Sequence, residues 1–146
     1  MKRDVAHLEK YDFVLETQEQ KLVRKIADLQ KKHEQEKRKF DMLHNCLQET
    51  RQNLMSQAQQ SVSVVTFQQY QHFIDQIEKA LKQQNEVLNQ CKMLYDQHLL
   101  AFKEIKLKRN KLSELITKIA NENNYHANRK ENQSNTEIFN RLKPYN

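Results

Sequence analysis

The sequence predicts an all-α protein, a long antiparallel two-helix coiled-coil hairpin. Three observations carry that prediction. The chain has no glycine, its apolar residues recur at heptad spacing in two separate stretches, and a short break rich in serine and valine divides them. Among 146 residues there is also no tryptophan, and the one proline is Pro144. Tight hairpins and phosphate-cradling loops lean on glycine for positive φ, so a many-stranded β fold is excluded. Hydrophobic residues make up 37% and the mean hydropathy is −1.01, too little to fill a thick globular core. Disorder is the other low-hydrophobicity outcome, but Leu, Ile and Phe at regular spacing argue for helix.

The first arm spans about residues 4–58. A heptad with a at Val5 continues through Asp12, Glu19, Ile26, His33, Phe40, Leu47 and Leu54. Its d positions are Leu8, Leu15, Leu22, Leu29, Glu36, Leu43, Thr50 and Gln57. Ten of these sixteen are apolar and the positions between are mostly charged or Gln, which is a coiled-coil seam.

The tip spans about 59–66, where serine and β-branched residues disfavour helix. Thr66 with Gln69 three residues on forms a capping-box signature, and Val65 with Tyr70 suits a hydrophobic staple. The second arm is therefore expected over about 67–120. Its a positions are Phe67, Ile74, Leu81, Leu88, Tyr95, Phe102, Arg109 and Ile116. Its d positions are Tyr70, Ile77, Gln84, Cys91, His98, Ile105, Leu112 and Ile119. Thirteen of sixteen are apolar or aromatic, counting Cys91, with no register slip, and such an arm is about 80 Å long.

A short connection makes the arms antiparallel neighbours. With the tip centred near Val62, Leu54 faces Tyr70, Leu47 faces Ile77, Leu43 faces Leu81, Leu8 faces Ile116 and Val5 faces Ile119. Every such pair joins an a position to a d position, as an antiparallel pair requires. Beyond Ile119 lies a polar extension, about 121–146, rich in asparagine and expected to be frayed or to order on binding. Ile138, Phe139 and Leu142 form a small apolar cluster within it.

Chemistry is narrowed by elimination. No run of about 18 apolar residues exists to span a membrane, and the charged start leads into no signal-peptide core. None of the six histidines sits in a zinc spacing, and His33 and His98 read as polar breaks in the seams. Cys46 and Cys91 lie about 20 Å apart along the expected hairpin, too far for a disulfide. With no phosphate loop, serine elbow or triad spacing, no enzyme and no cofactor is expected.

Charge and aromatics leave two contact features. Residues 1–40 carry +3, 41–100 carry −2 and 101–146 carry +5, so the open end of the hairpin is basic. The densest run is Lys103 to Lys111, suited to an acidic partner or nucleic acid, though most such runs are simply solvated. Near the tip, Tyr70, Phe73 and Ile74 crowd together. Phe73 and Cys46 both fall at g, beside the seam, where a partner can share the apolar strip. A nucleic-acid-binding or structural coiled-coil adaptor uses the same basic end, but +6 is modest and the aromatics cluster at the other end.

The stretch Gln69 to Leu81, QYQHFIDQIEKAL, resembles the central signature of the FliJ-type flagellar export proteins through Tyr70, Gln71, Phe73, Ile74, Glu78 and Ala80. Upstream, Met42, Leu43, Glu49, Arg51, Asn53 and Leu54 are similar to the family's segment before the tip, and the charged C-terminal tail agrees. The resemblance implies a cytoplasmic antiparallel coiled coil of type III secretion, similar to a rotary ATPase stalk. It implies partners too: the flagellar export ATPase hexamer at the open end, the cytosolic domain of the export-gate membrane protein, and export chaperones that are escorted. Membrane association is then peripheral, through the gate, and no nucleic acid is bound. The stalk protein of a virulence secretion system is a close counterpart. Carried over by position, the gate-contact surface comprises Leu43, Cys46, Thr50, Phe73, Ile77, Ala80 and Gln84. Cys46 and Thr50 stand where the family usually has tyrosines. The ATPase contact falls to Lys106, Lys108, Arg109 and Lys111 of the basic run.

Overall fold

The heptads do become two helices. A computed structural model describes residues 4–142, in which α1 spans Ala6–Ala58 and α2 spans Val64–Arg141. No strand occurs among the described residues. The charged start 1–3 and the last four residues, Pro144 included, lie outside them. Two long helices packed on each other form the expected all-α hairpin. By contacts the chain divides into two units, residues 22–100 and residues 1–21 with 101–146.

In residues 22–100 the reversal is made without glycine. α1 closes with a tightened last turn, Gln60 N–H donating to the Gln57 carbonyl at 2.9 Å. Ser61 then takes φ 58°, the left-handed region where a Cβ carries a steric cost of about 1 kcal/mol. Ser63, rather than Thr66, caps α2: its Oγ accepts from the Thr66 N–H at 3.2 Å, and Phe67 N–H donates to the Ser63 carbonyl at 3.0 Å. The helix thus starts three residues before the expected Phe67, because Ser63 offers the same hydroxyl cap one turn earlier.

On either side of this turn α1 and α2 run antiparallel. The core here is Leu47, Ile74 and Ile77, with Cys46, Leu54 and Leu81 packed against it. Leu47 and Ile77 were expected to face one another. Farther along, Leu29 and Cys91 are buried seam residues.

In the other unit the start of α1 lies against α2 from Ala101 onward, with Leu15, Leu112 and Ile119 buried. Asp4 Oδ1 accepts from the Ala6 N–H at 2.9 Å and closes the first turn of α1. α2 does not end where its seam ends. It stays helical through Arg141, although every residue from Asn124 to Leu142 is exposed. The extension expected to fray is therefore helix in its described part. Each Asn costs only about 0.7 kcal/mol relative to Ala, no Gly or Pro intervenes, and adding a residue to an existing helix avoids a new nucleus.

Candidate functional sites

Heptad position decides which side chains face the partner helix. Of the 32 assigned a and d positions, all but Gln57 and Phe67 are buried or half-buried. Those two flank the turn, where the helices separate to let the chain reverse. The seam is therefore continuous within each unit.

That burial sorts the residues carried over as a gate surface. Thr50 is 7% exposed and its hydroxyl donates to the Cys46 carbonyl at 2.7 Å. Ile77 is 5% exposed and belongs to the core. Gln84 lies in the seam, where its Nε2 donates to the Glu36 carbonyl at 2.9 Å and also to the Glu36 carboxylate. Leu43, Cys46 and Ala80 are half-buried, while Phe73 is 46% exposed. Phe73 lines a shallow groove with Gln57, Thr66, Gln69 and Tyr70. Of the seven, Phe73 alone is exposed.

The basic run is sorted as sharply. Arg109 occupies an a position and turns inward. Its Nε and Nη2 donate to the two oxygens of Asp12 at 3.0 and 3.3 Å, and its Nη1 donates to Glu19 Oε2 at 2.7 Å. Glu16 stands 3.9 Å from Nη2, and Lys106 Nζ reaches Glu19 Oε1 at 3.4 Å. The side chains of Arg109 and Glu19 are 26% and 12% exposed, so solvent screens this set only in part. Lys108 and Lys111 are exposed. Two of the four cations proposed for ring contact are thus tied to this chain's own carboxylates, and two face outward.

The two polar interruptions in the first seam's Asp12/Glu19 stretch and the one at Arg109 in the second are one feature seen from both sides. In the heptad pattern each stands alone; the available signal was the opposite sign about one turn to either side of the position that Arg109 faces. Glu36 and Gln84 form a second polar contact across the seam in residues 22–100, between a carboxylate and a neutral amide. These polar partners fall within about five residues of the facing position expected from a tip near Val62, the diagonal reach of long side chains across adjacent turns.

The hydrogen bond from Arg109 holds Glu19 below its ordinary value of 4.5, against the opposing effect of burial, with Lys106 adding to the lowering. The amide of Gln84 does the same for Glu36, aided by Lys39. The two carboxylates in turn raise the Arg109 guanidinium above its ordinary value, Asp12 most. A lowered carboxylate contributes stability that is complete above its unfolded value and is lost as pH falls through the folded one. Thermal stability should therefore decline as pH drops below 4.5. A melting series in Glu19→Gln is expected to show a shallower acid decline than the parent chain.

Among the described residues no three His, Cys, Asp or Glu side chains stand together to hold a metal ion, and both cysteines are free. No described helix is long and apolar enough to cross a membrane. Paired helices with a continuous seam in each unit, and with Asp12, Glu19, Arg109, Glu36 and Gln84 of that seam bonded across it, define a coiled-coil protein. The family described as flagellar FliJ protein matches residues 14–142, most of the chain, and the chain belongs to that family. It is accordingly a component of flagellar protein export. Comparison with curated proteins and with solved structures finds no match.

Proposed function

We propose that this chain is a cytoplasmic stalk that joins the flagellar export ATPase ring to the export gate and escorts export chaperones, touching the membrane only through the gate. The observation that carries this reading is the family match over residues 14–142. In this reading the unit of residues 1–21 and 101–146 engages the ATPase hexamer, and the flank of the seam near the turn engages the gate's cytosolic domain. Phe73 leads the gate contact, with Leu43, Cys46 and Ala80 beside it. Thr50, Ile77 and Gln84 shape that surface from within the seam. Lys108 and Lys111 supply the steering charge toward the ATPase, because Lys106 and Arg109 already answer Asp12 and Glu19.

A pull-down of the full chain with the cognate ATPase and with the gate's cytosolic domain tests both arms. Phe73→Ala should weaken gate binding about 30-fold, as loss of an aromatic anchor does, with little change in melting. Lys108→Glu with Lys111→Glu should lower ATPase stimulation and leave gate binding intact. Stimulation that persists while gate binding fails would mean the two surfaces are assigned the wrong way round.

A further inference from the structure

In an antiparallel pair the e rows of the two helices border one side of the seam and the g rows the other. Within residues 22–100 the e side carries a charge pair: Arg51 and Glu78, both at e, pair at 2.6 Å. The g side differs. The g row of α2 here reads Phe73, Ala80, Val87 and Leu94, all apolar. Phe73 and Leu94 are 46% and 43% exposed, and Ala80 and Val87 are half-buried. Together with a and d this gives α2 three apolar positions in three of its four heptads from Phe67 to Leu94, Gln84 being the polar exception, a wider stripe than a two-helix seam uses while α1 covers one side. Across the seam, the g row of α1 presents Lys25, Lys32 and Lys39, all exposed, beside Val87 and Leu94, with Cys46 and Asn53 beside Ala80 and Phe73; Lys39 also reaches Glu36 Oε1 at 3.3 Å.

We propose that this g flank is a helix-docking surface and that its occupant is an acidic amphipathic α-helix of another protein. The repeat selects a helix. Apolar residues seven apart on α2 lie about 10 Å apart, and only another helix running alongside offers knobs at that spacing. The lysine row selects the charge, since it repeats at the same interval and meets the edge of whatever lies on the apolar row. A second copy of this chain brings the same lysines on its matching flank and is disfavoured by like charge. The site adds Val87, Leu94 and the lysines to Phe73 and Ala80, and it stands whether or not the gate supplies the helix.

The test uses the full chain and a fluorescent three-heptad peptide with Leu at a and d and Glu at e and g. Its twin has Lys for Glu. By anisotropy the chain should bind the acidic peptide at least about tenfold more tightly than the twin, and less tightly in high salt. Lys25→Glu, Lys32→Glu and Lys39→Glu together should reverse that preference, and Leu94→Asp should weaken binding about tenfold with helicity retained. Lys31→Glu with Arg38→Glu, on the outward face, should change little. Equal binding of both peptides overturns the proposal, because charge then does not select the occupant, and so does equal loss with the outward pair, because attraction is then only net charge. A dimer in sedimentation that Leu94→Asp abolishes also overturns it and makes a second copy the occupant. If Leu94→Asp unfolds the chain, the lysine triple, at exposed positions, decides. Gate binding lost in Phe73→Ala while the peptide preference survives separates this site from the gate reading.

Discussion

Ile77→Ala is expected to lower stability by about 3 kcal/mol and the melting midpoint by about 10 °C, read by circular dichroism. Ile77 is 5% exposed and meets Leu47 and Ile74 in the core beside the turn. A two-helix seam has no second layer of side chains to collapse into the space, so the lost contacts are not replaced. Phe73, four residues earlier on the same helix, is 46% exposed and should lose far less on truncation. The two substitutions thus separate holding the surface together from touching a partner. A melting midpoint unchanged in Ile77→Ala would return this residue to the contact surface and break the seam assignment around it.

Arg109→Ala is expected to lower stability by roughly 2 kcal/mol, most visibly in residues 1–21 and 101–142. Removing the guanidinium leaves Asp12 and Glu19 facing each other's charge in a seam only partly open to water, and an unpaired carboxylate there costs more than the pair gained. The remaining solvent access is why the figure stays below that of a fully buried pair. Replacing all three by leucine should raise the melting midpoint instead, because an apolar seam needs no compensating charge. It should also loosen alignment, since Arg109 bridging Asp12 and Glu19 fits one axial offset of the helices and Leu fits several. Hydrogen exchange of the α1 start, slower in the parent than in the single variant, checks the first half. Spin-label distances that broaden in the triple-leucine chain check the second.

The seam was legible because heptad repetition is a strong signal and glycine was missing to interrupt it. Its polar members were legible only as exceptions, since pairing Arg109 with Asp12 and Glu19 needs the register as well as the pattern. The start of α2 slipped by three residues because Ser63 and Thr66 both carry a hydroxyl suited to capping. The extension was read from asparagine's weak preference, and what decided its described part was propagation from a helix already formed. Among the residues carried over as gate contacts, Thr50 and Ile77 fell on d positions, so periodicity placed them inside even as the family resemblance placed them on a contact surface. Phe73, at g, satisfied both readings.

The solvent-bathed run of α2 from Asn124 to Arg141 has a thermodynamic consequence. A floppy tail that winds up on capture forfeits about 1–2 kcal/mol of backbone freedom for each residue it immobilises. A segment already wound has surrendered that freedom beforehand, so a grip on Tyr125 or Ile138 would translate almost undiminished into affinity.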